Sequence, residues 1–305
     1  MEFRFMRVLI PVDGGLDCRE AVRFLLARKS WLESERPDVE LLYVQKPLSD
    51  RVSERGDFDA ESYYAAEAQN VWTSLTHELE EIPVSVKKTF LVGHAAEMIA
   101  DYANVSRADL IVMGARGLTP MKNLYMGSVS QSTIARAKCP VLICRDGNKA
   151  TGPAPKVGLS VDGSSFGPMC ADYIIKHRGF FGPEATFEII HVVSDEPLYA
   201  PEFIEVKPIP PQSTWADIEE LEFNYAVHDT LEKFDVAGVP VGSKKLVGDA
   251  EVVLPDYAEN NLDIMVMGSH GKSALRSLVF GSATRAMIAA CNTPVLVVPV
   301  KRTLK

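Results

Sequence analysis

The sequence predicts an α/β protein built from two tandem doubly wound domains, each a five-stranded parallel sheet in the order 3-2-1-4-5 with helices on both faces. Three observations lead there. The chain has 305 residues, about two domains at roughly 150 residues each. It repeats itself once. Within each copy, short apolar runs alternate with longer segments of helical period, the βαβα pattern of a parallel sheet.

The repeat is the strongest of the three, because a missed repeat miscalls a whole fold. Residues 109–144 read DLIVMGARGLTPMKNLYMGSVSQSTIARAKCPVLIC, and residues 263–298 read DIMVMGSHGKSALRSLVFGSATRAMIAACNTPVLVV. They align without a gap at a constant offset of 154. Upstream, Val8 to Gly14 pairs with Val157 to Gly163, Leu42 to Val44 with Ile190 to Val192, and Val92 to Glu97 with Val247 to Glu251. Here the offset drifts from 149, as expected when length differences fall in loops.

In the first copy the elements follow in order. Strands are predicted near 7–12, 39–44, 84–91, 109–113 and 140–145, with helices near 16–33, 60–81, 95–105 and 128–137. Leu110 to Met113 and Val141 to Cys144 are apolar at every position, which suits strands covered on both faces. The second copy repeats the plan and closes on Val295 to Val298. The copies differ most between their second and third strands. There the first has a charged stretch, Ser49 to Glu61, and the second has Glu196 to Pro201 and Lys207 to Pro211. Both inserts read equally as lids or as tolerated surface loops. The Gly- and Pro-rich run Asp146 to Pro155 reads as the junction. The domains are therefore placed at 1–147 and 156–305, with a linker over 148–155.

Composition narrows the function. Charged residues are 24% of the chain and mean hydropathy is +0.01, values of an ordinary globular protein. A net charge of −9 gives no positive field for nucleic acid or anionic lipid. No run approaches the roughly 18 apolar residues of a membrane span, and the apolar stretch after Arg7 is too short for a signal peptide. The five cysteines, Cys18, Cys139, Cys144, Cys170 and Cys291, form no CxxC and read as buried thiols of a cytoplasmic protein. No His/Cys cluster has metal-ligand spacing.

The chemistry concentrates in the spacing G-x2-G-x9-G-S, which occurs twice: Gly114, Gly117, Gly127 and Ser128, then Gly268, Gly271, Gly281 and Ser282. The first glycine ends a buried strand and the last begins a helix. Glycine lets backbone approach a ligand closely, and the amides and dipole of a helix start favour phosphate oxygens. Ser128 and Ser282 are placed to cap the helix or to bond phosphate. Lys122 matches Arg276 near the phosphate path, where a solvent-facing role reads equally well. Asp13 and Asp162 end the first strands. In a 3-2-1-4-5 sheet each faces the glycine loop across the switch-point crevice, where a carboxylate can accept from ribose hydroxyls or an adenine amine. An N-cap or Asx-turn would also satisfy a strand-ending Asp.

On these residues, and on the Tyr43-Val44 and His191-Val192 positions and the closing Cys-Pro-Val-Leu and Thr-Pro-Val-Leu strands, both halves resemble universal stress protein domains. The whole chain resembles a tandem member of that family. Its full glycine motif is similar to that of the ATP-binding subgroup. The resemblance implies ATP as ligand, with Mg2+. It puts Asp13 and Asp162 on the adenosine and the backbone of Val44 and Val192 on adenine. Gly114, Gly117, Gly127, Ser128 and Ser130 would hold ribose and phosphates, as would Gly268, Gly271, Gly281, Ser282 and Thr284. Gly15 departs from the Ser found two residues after the Asp in many members, whereas the second copy keeps Ser164. The resemblance further implies a stress-response regulator with a protein partner. It also implies last strands paired antiparallel as an intramolecular pseudo-dimer, and leaves open a homodimer of tandem chains.

Catalytic signatures are missing from the sequence: there is no G-x4-G-K-[ST] loop, G-x-S-x-G elbow or kinase set. His270 is matched by Arg116, so no general base recurs. The expectation is an ATP-binding regulator rather than an enzyme. The alternatives are a slow ATPase or autophosphorylating protein, with Ser128, Ser130 or Ser282 as acceptor, and a nucleotide-free dimerisation scaffold.

Overall fold

The computed structural model describes residues 5–49, 58–116, 126–145, 154–194, 214–269 and 281–299. Its first half runs β1 (Arg7–Val12), α1 (Leu16–Leu26), α2 (Lys29–Glu35), β2 (Asp38–Gln45), α3 (Ala60–Ser74), α4 (Thr76–Glu80), β3 (Val86–Val92), α5 (Ala95–Ser106), β4 (Leu110–Gly114), α6 (Ser128–Arg136) and β5 (Val141–Cys144). The second runs β6 (Lys156–Ser160), α7 (Phe166–Lys176), α8 (Arg178–Phe181), β7 (Thr186–Val193), α9 (Trp215–Val236), β8 (Val241–Val247), α10 (Ala250–Asn261), β9 (Ile264–Gly268), α11 (Ser282–Ala290) and β10 (Val295–Val298).

The predicted order 3-2-1-4-5 holds in each half, and the halves join into one ten-stranded sheet, β3-β2-β1-β4-β5-β10-β9-β6-β7-β8. Neighbours within a half run parallel. The seam is antiparallel, with Val295 opposite Ile143, Leu296 opposite Leu142 and Val297 opposite Val141. The two closing strands thus cover each other's open edge.

Strand side chains alternate between two faces, and each face carries one apolar layer that runs through both halves. Val8, Ile10, Leu110, Val112 and Leu142 share a layer with Leu159, Val266 and Leu296. Leu9, Ile111, Met113, Val141 and Ile143 share the opposite layer with Met265, Met267, Val295 and Val297. Fully apolar strands were expected because both faces are covered, and every residue of β4 and β5 is buried.

Two predicted helices are split. The segment 16–33 becomes α1 and α2, broken around Ala27 and Arg28, and 60–81 becomes α3 and α4, broken at Leu75. Both breaks serve burial. Leu75 is fully buried, and the break at Arg28 turns the chain towards the other half, where Trp31 packs edge-on against Phe180 at 5.3 Å. These are matching positions of the two copies, meeting at the seam.

Arg28 lies there too, buried, with its guanidinium 3.4 Å from the Phe24 ring centroid. Its Nε donates to the Phe180 carbonyl at 2.9 Å and Nη1 to the Phe24 carbonyl at 2.7 Å. Burial pushes its pKa down to about 9. In the second half the same two positions hold His177 and Tyr173, rings 4.6 Å apart. Burial, then the neighbouring Lys176, pushes the His177 pKa down to about 4.

All five cysteines are buried free thiols, as expected. Burial raises Cys18 to about 11 and Cys139 and Cys170 to about 12, so thiolate chemistry is suppressed near neutral pH. Among the described residues no helix is long and apolar enough to cross a membrane, and no group of three His, Cys, Asp or Glu side chains could hold a metal ion.

Candidate functional site

The carboxyl ends of β1 and β4 are adjacent, with Val8 beside Leu110 and Leu9 beside Ile111. β6 and β9 repeat this, with Val157 beside Ile264 and Leu159 beside Val266. Chain direction then carries Asp13 and Asp162 to the same sheet edge as Gly114 and Gly268. The strand order reverses at this point in each half, which is where ligands of open α/β sheets bind.

Each Asp closes an Asx-turn. Asp13 Oδ1 accepts from the Gly15 amide at 2.9 Å, and Asp162 Oδ1 from the Ser164 amide at 3.0 Å. The residue between is glycine with positive φ in both, +84° at Gly14 and +75° at Gly163, a region other residues rarely enter. The turn thus uses one oxygen of a half-buried carboxylate. Gly15 supplies its amide just as Ser164 does. Beneath it, the Cys18 thiol donates to the Gly15 carbonyl at 3.1 Å.

Val44 and Val192 sit just past the reach of the first strand. Backbone groups along a strand point alternately to its two neighbours. The Gln45 carbonyl accepts from Gly93 and the Val193 carbonyl from Gly248, both on the outer side. Val44 and Val192 therefore aim amide and carbonyl towards β1 and β6, which end at Val12 and Ser160. Nearby in the first half, burial, then Glu67, Tyr63 and Asp13, pushes the Tyr43 hydroxyl up. Its counterpart His191 is buried, with Nδ1 2.9 Å from the Val161 carbonyl and Nε2 3.7 Å from Glu222.

Gly114 is required by packing. A methyl group added there would lie 2.7 Å from the backbone carbon of Asp17 and 2.9 Å from the Cys18 nitrogen, closer than real side chains come. The other end of the motif is a helix start in both halves. Gly127 and Gly281 are the N-cap residues of α6 and α11. Their amides bond the carbonyls of Ala115 at 2.8 Å and Ser269 at 3.1 Å, which ties each helix start to the strand end.

Ser128 and Ser282 are not caps, contrary to one sequence expectation; they occupy the first helical position, exposed. With glycine at the cap, no side chain covers the first-turn amides from that position, and these remain the donors an anion would use. Ser130 and Thr284 are buried, and their hydroxyls donate to the carbonyls of Gly114 at 2.8 Å and Gly268 at 3.0 Å. They hold the helix start against the strand, and each oxygen keeps lone pairs as acceptors. Gly117, Lys122, Gly271, His270 and Arg276 lie outside the described residues, as do most of the predicted linker and of both inserts.

One group escaped the sequence reading. Asp17, in the first turn of α1, is buried, and its Oδ2 accepts from the Arg116 amide at 2.9 Å and from Arg116 Nε at 3.3 Å. An acidic residue in a helix's first turn is commonplace, so the sequence gave no reason to single it out.

Set against known proteins, residues 4–145 and 156–299 each match the universal stress protein family. A universal stress protein of Mycobacterium tuberculosis is 26% identical over 217 residues, 70% of this chain and 69% of that protein. One from Methanocaldococcus jannaschii is 34% identical over 161 residues, spanning 48% of this chain and 99% of its own length. The crystal structure of a universal stress protein from Archaeoglobus fulgidus superposes with a TM-score of 0.63 at 19% identity, covering 97% of each chain. This last likeness speaks for the fold.

Proposed function

The chain belongs to the universal stress protein family, and from that premise we propose that it is a stress-response regulator that binds ATP, with Mg2+, at the switch-point crevice of one or both halves. One observation carries the reading. The same constellation is built twice: a strand-ending carboxylate on a positive-φ glycine turn, a second-strand valine aiming backbone groups inward, and a glycine-capped helix start tied to the fourth strand. Packing needs explain Gly114 and the Asx-turns, but they do not require a helix start without a side-chain cap in both copies.

In this reading the carboxylates of Asp13 and Asp162 accept from the ribose. Val44 and Val192 give backbone groups to adenine, and the first-turn amides of α6 and α11, with Ser128 and Ser282, take the phosphates. Gly117 and Gly271 complete the loops. Bound nucleotide changes the surface offered to a protein partner. The boundaries 1–147 and 156–305, and a cytoplasmic location, belong to the same proposal.

Isothermal titration with ATP tests it. Binding at micromolar affinity is expected, weakened at one site by Asp13→Ala and at the other by Asp162→Ala. A wild-type chain that takes up no ATP, or variants that titrate as wild type does, would remove the proposal. Autophosphorylation has the exposed Ser128 and Ser282 as acceptors, since Ser130 is buried on the Gly114 carbonyl. Stable label from γ-labelled ATP would show that reaction.

A further inference from the structure

We propose that Asp17 is a positioning residue of the first nucleotide site, fixing the start of its glycine loop through the Arg116 backbone, and that this anchor makes the first site the tighter of the two. The proposal rests on the nucleotide reading above and concerns what distinguishes the two copies.

Arg116 is the first residue beyond the Ala115 amide, which still belongs to the sheet edge through its bond to the Cys144 carbonyl at 2.8 Å. From there the chain enters the loop. A buried carboxylate grips Arg116 twice, at the backbone amide and at the side-chain Nε, and hydrogen bonds to an ionised acceptor are the stronger kind. The anchor is itself rigid. Gly114 lies flush on the backbone of Asp17 and Cys18, so α1 and the loop start cannot shift independently. Arg145 is within electrostatic reach of Asp17 and Arg116. It is buried and donates to the Ile288 carbonyl of α11, across the seam. The loop start is thereby rooted in the interface between the halves.

The second copy has none of these side chains. Phe166 stands at the place of Asp17, His270 at that of Arg116 and Pro299 at that of Arg145. A loop held before the ligand arrives loses less conformational freedom on binding, so pre-organisation appears as affinity. The charge argument points the same way: Asp17 is paired with the Arg116 guanidinium, so it brings no net negative charge to the phosphates.

The experiment has two readouts on the whole chain. Amide hydrogen exchange at Arg116, without nucleotide, is expected to be slow in the wild type and at least tenfold faster in Asp17→Asn. ATP affinity is read in chains carrying Asp162→Ala, which isolates the first site, or Asp13→Ala, which isolates the second. Asp17→Asn is expected to weaken the first site about tenfold and to leave the second within about twofold. Arg116→Gln keeps the amide bond to Asp17 and is expected to cost the first site less than about threefold.

Unchanged exchange at Arg116 overturns the anchor. Faster exchange with unchanged affinity overturns the positioning role while leaving nucleotide binding intact, and equal weakening of both sites shows a general loss of stability instead. An Arg116→Gln loss as large as that of Asp17→Asn moves the role to the guanidinium. Should wild-type chain bind no ATP while exchange still responds to Asp17→Asn, the nucleotide reading has failed and this proposal with it, and the anchor is then purely structural.

Discussion

The two halves share a sheet order and differ in how they hold their helices. In the first, the segment between the second and third strands breaks at Leu75 into α3 and α4. In the second, the described residues form one 22-residue helix, opened by a capping box between Thr214 and Asp217. At the seam the first half presents Arg28 on Phe24 and the second His177 on Tyr173. Beside the crevice it is Asp17 against Phe166. The ties between strand end and helix start, by contrast, are the same: Ser130 to Gly114 and Thr284 to Gly268. Several differences fall at positions that tune packing and charge, while the Asx-turns and the ties between strand end and helix start recur.

If the seam is a shared core, damaging one side should unfold both halves. Phe180 is buried between Phe24, Trp31 and Phe181. Phe180→Ala is expected to cost about 3–5 kcal/mol, measured by urea denaturation. One cooperative transition should move to lower urea for probes in both halves; separation into two transitions would mean that the halves fold independently.

The Arg28 and His177 pair predicts a one-sided response to acid. Folding lowers the His177 pKa from 6.5 to about 4, so in between the unfolded chain binds more protons than the folded one. Stability contributed by neutral His177 is therefore complete above pH 6.5 and lost as pH falls towards 4, by roughly 2 kcal/mol once solvent screening of the half-buried ring is allowed for. Arg28, at about 9, keeps its charge throughout that window. Denaturation midpoints of wild type and His177→Phe across pH 4–7 check this, and the variant should lose most of the slope.

A smaller contrast lies on the opposite face of the sheet. Tyr102 donates to Glu40 and Tyr257 to Glu188, each at 2.5 Å, fastening α5 and α10 to the second strand of their halves. Glu40 also accepts from Thr89 at 2.6 Å and pairs with Lys87 at 2.8 Å, whereas Gly242 stands where Lys87 does. Tyr257→Phe is expected to cost about 1.5 kcal/mol and Tyr102→Phe about half that, read from thermal melts. Equal losses would mean that the extra partners of Glu40 add nothing.

Much of this was legible in the sequence. Strands buried on both faces read as uninterrupted apolar runs and the gapless repeat showed the plan twice, while the strand order followed from the doubly wound pattern and the pairing of the closing strands from the family resemblance. The helix breaks were not legible there. At Ala27-Arg28 and at Leu75 no Gly or Pro punctuates the chain; the interruptions come from packing across the seam and against the core, which local propensity does not contain. Asp17 was silent for a related reason. Its partner lies 99 residues away, and only the fold brings the two together. For Ser128 and Ser282 the residue type was read correctly as belonging to a helix start, but the preceding glycine, not the serine, takes the cap.

The antiparallel pairing of Val141 to Cys144 with Val295 to Val298 has a consequence for dilution. Two separate subunits meeting through such an edge would part as their concentration fell. Here the partner strand arrives on the same chain, at an effective concentration set by the connecting segment and of millimolar order for short flexible connections. The ten-stranded sheet should therefore persist on dilution, and each half is free to accumulate changes, such as arginine in one and histidine at the matching position of the other, that a symmetric pair could acquire only on both sides at once.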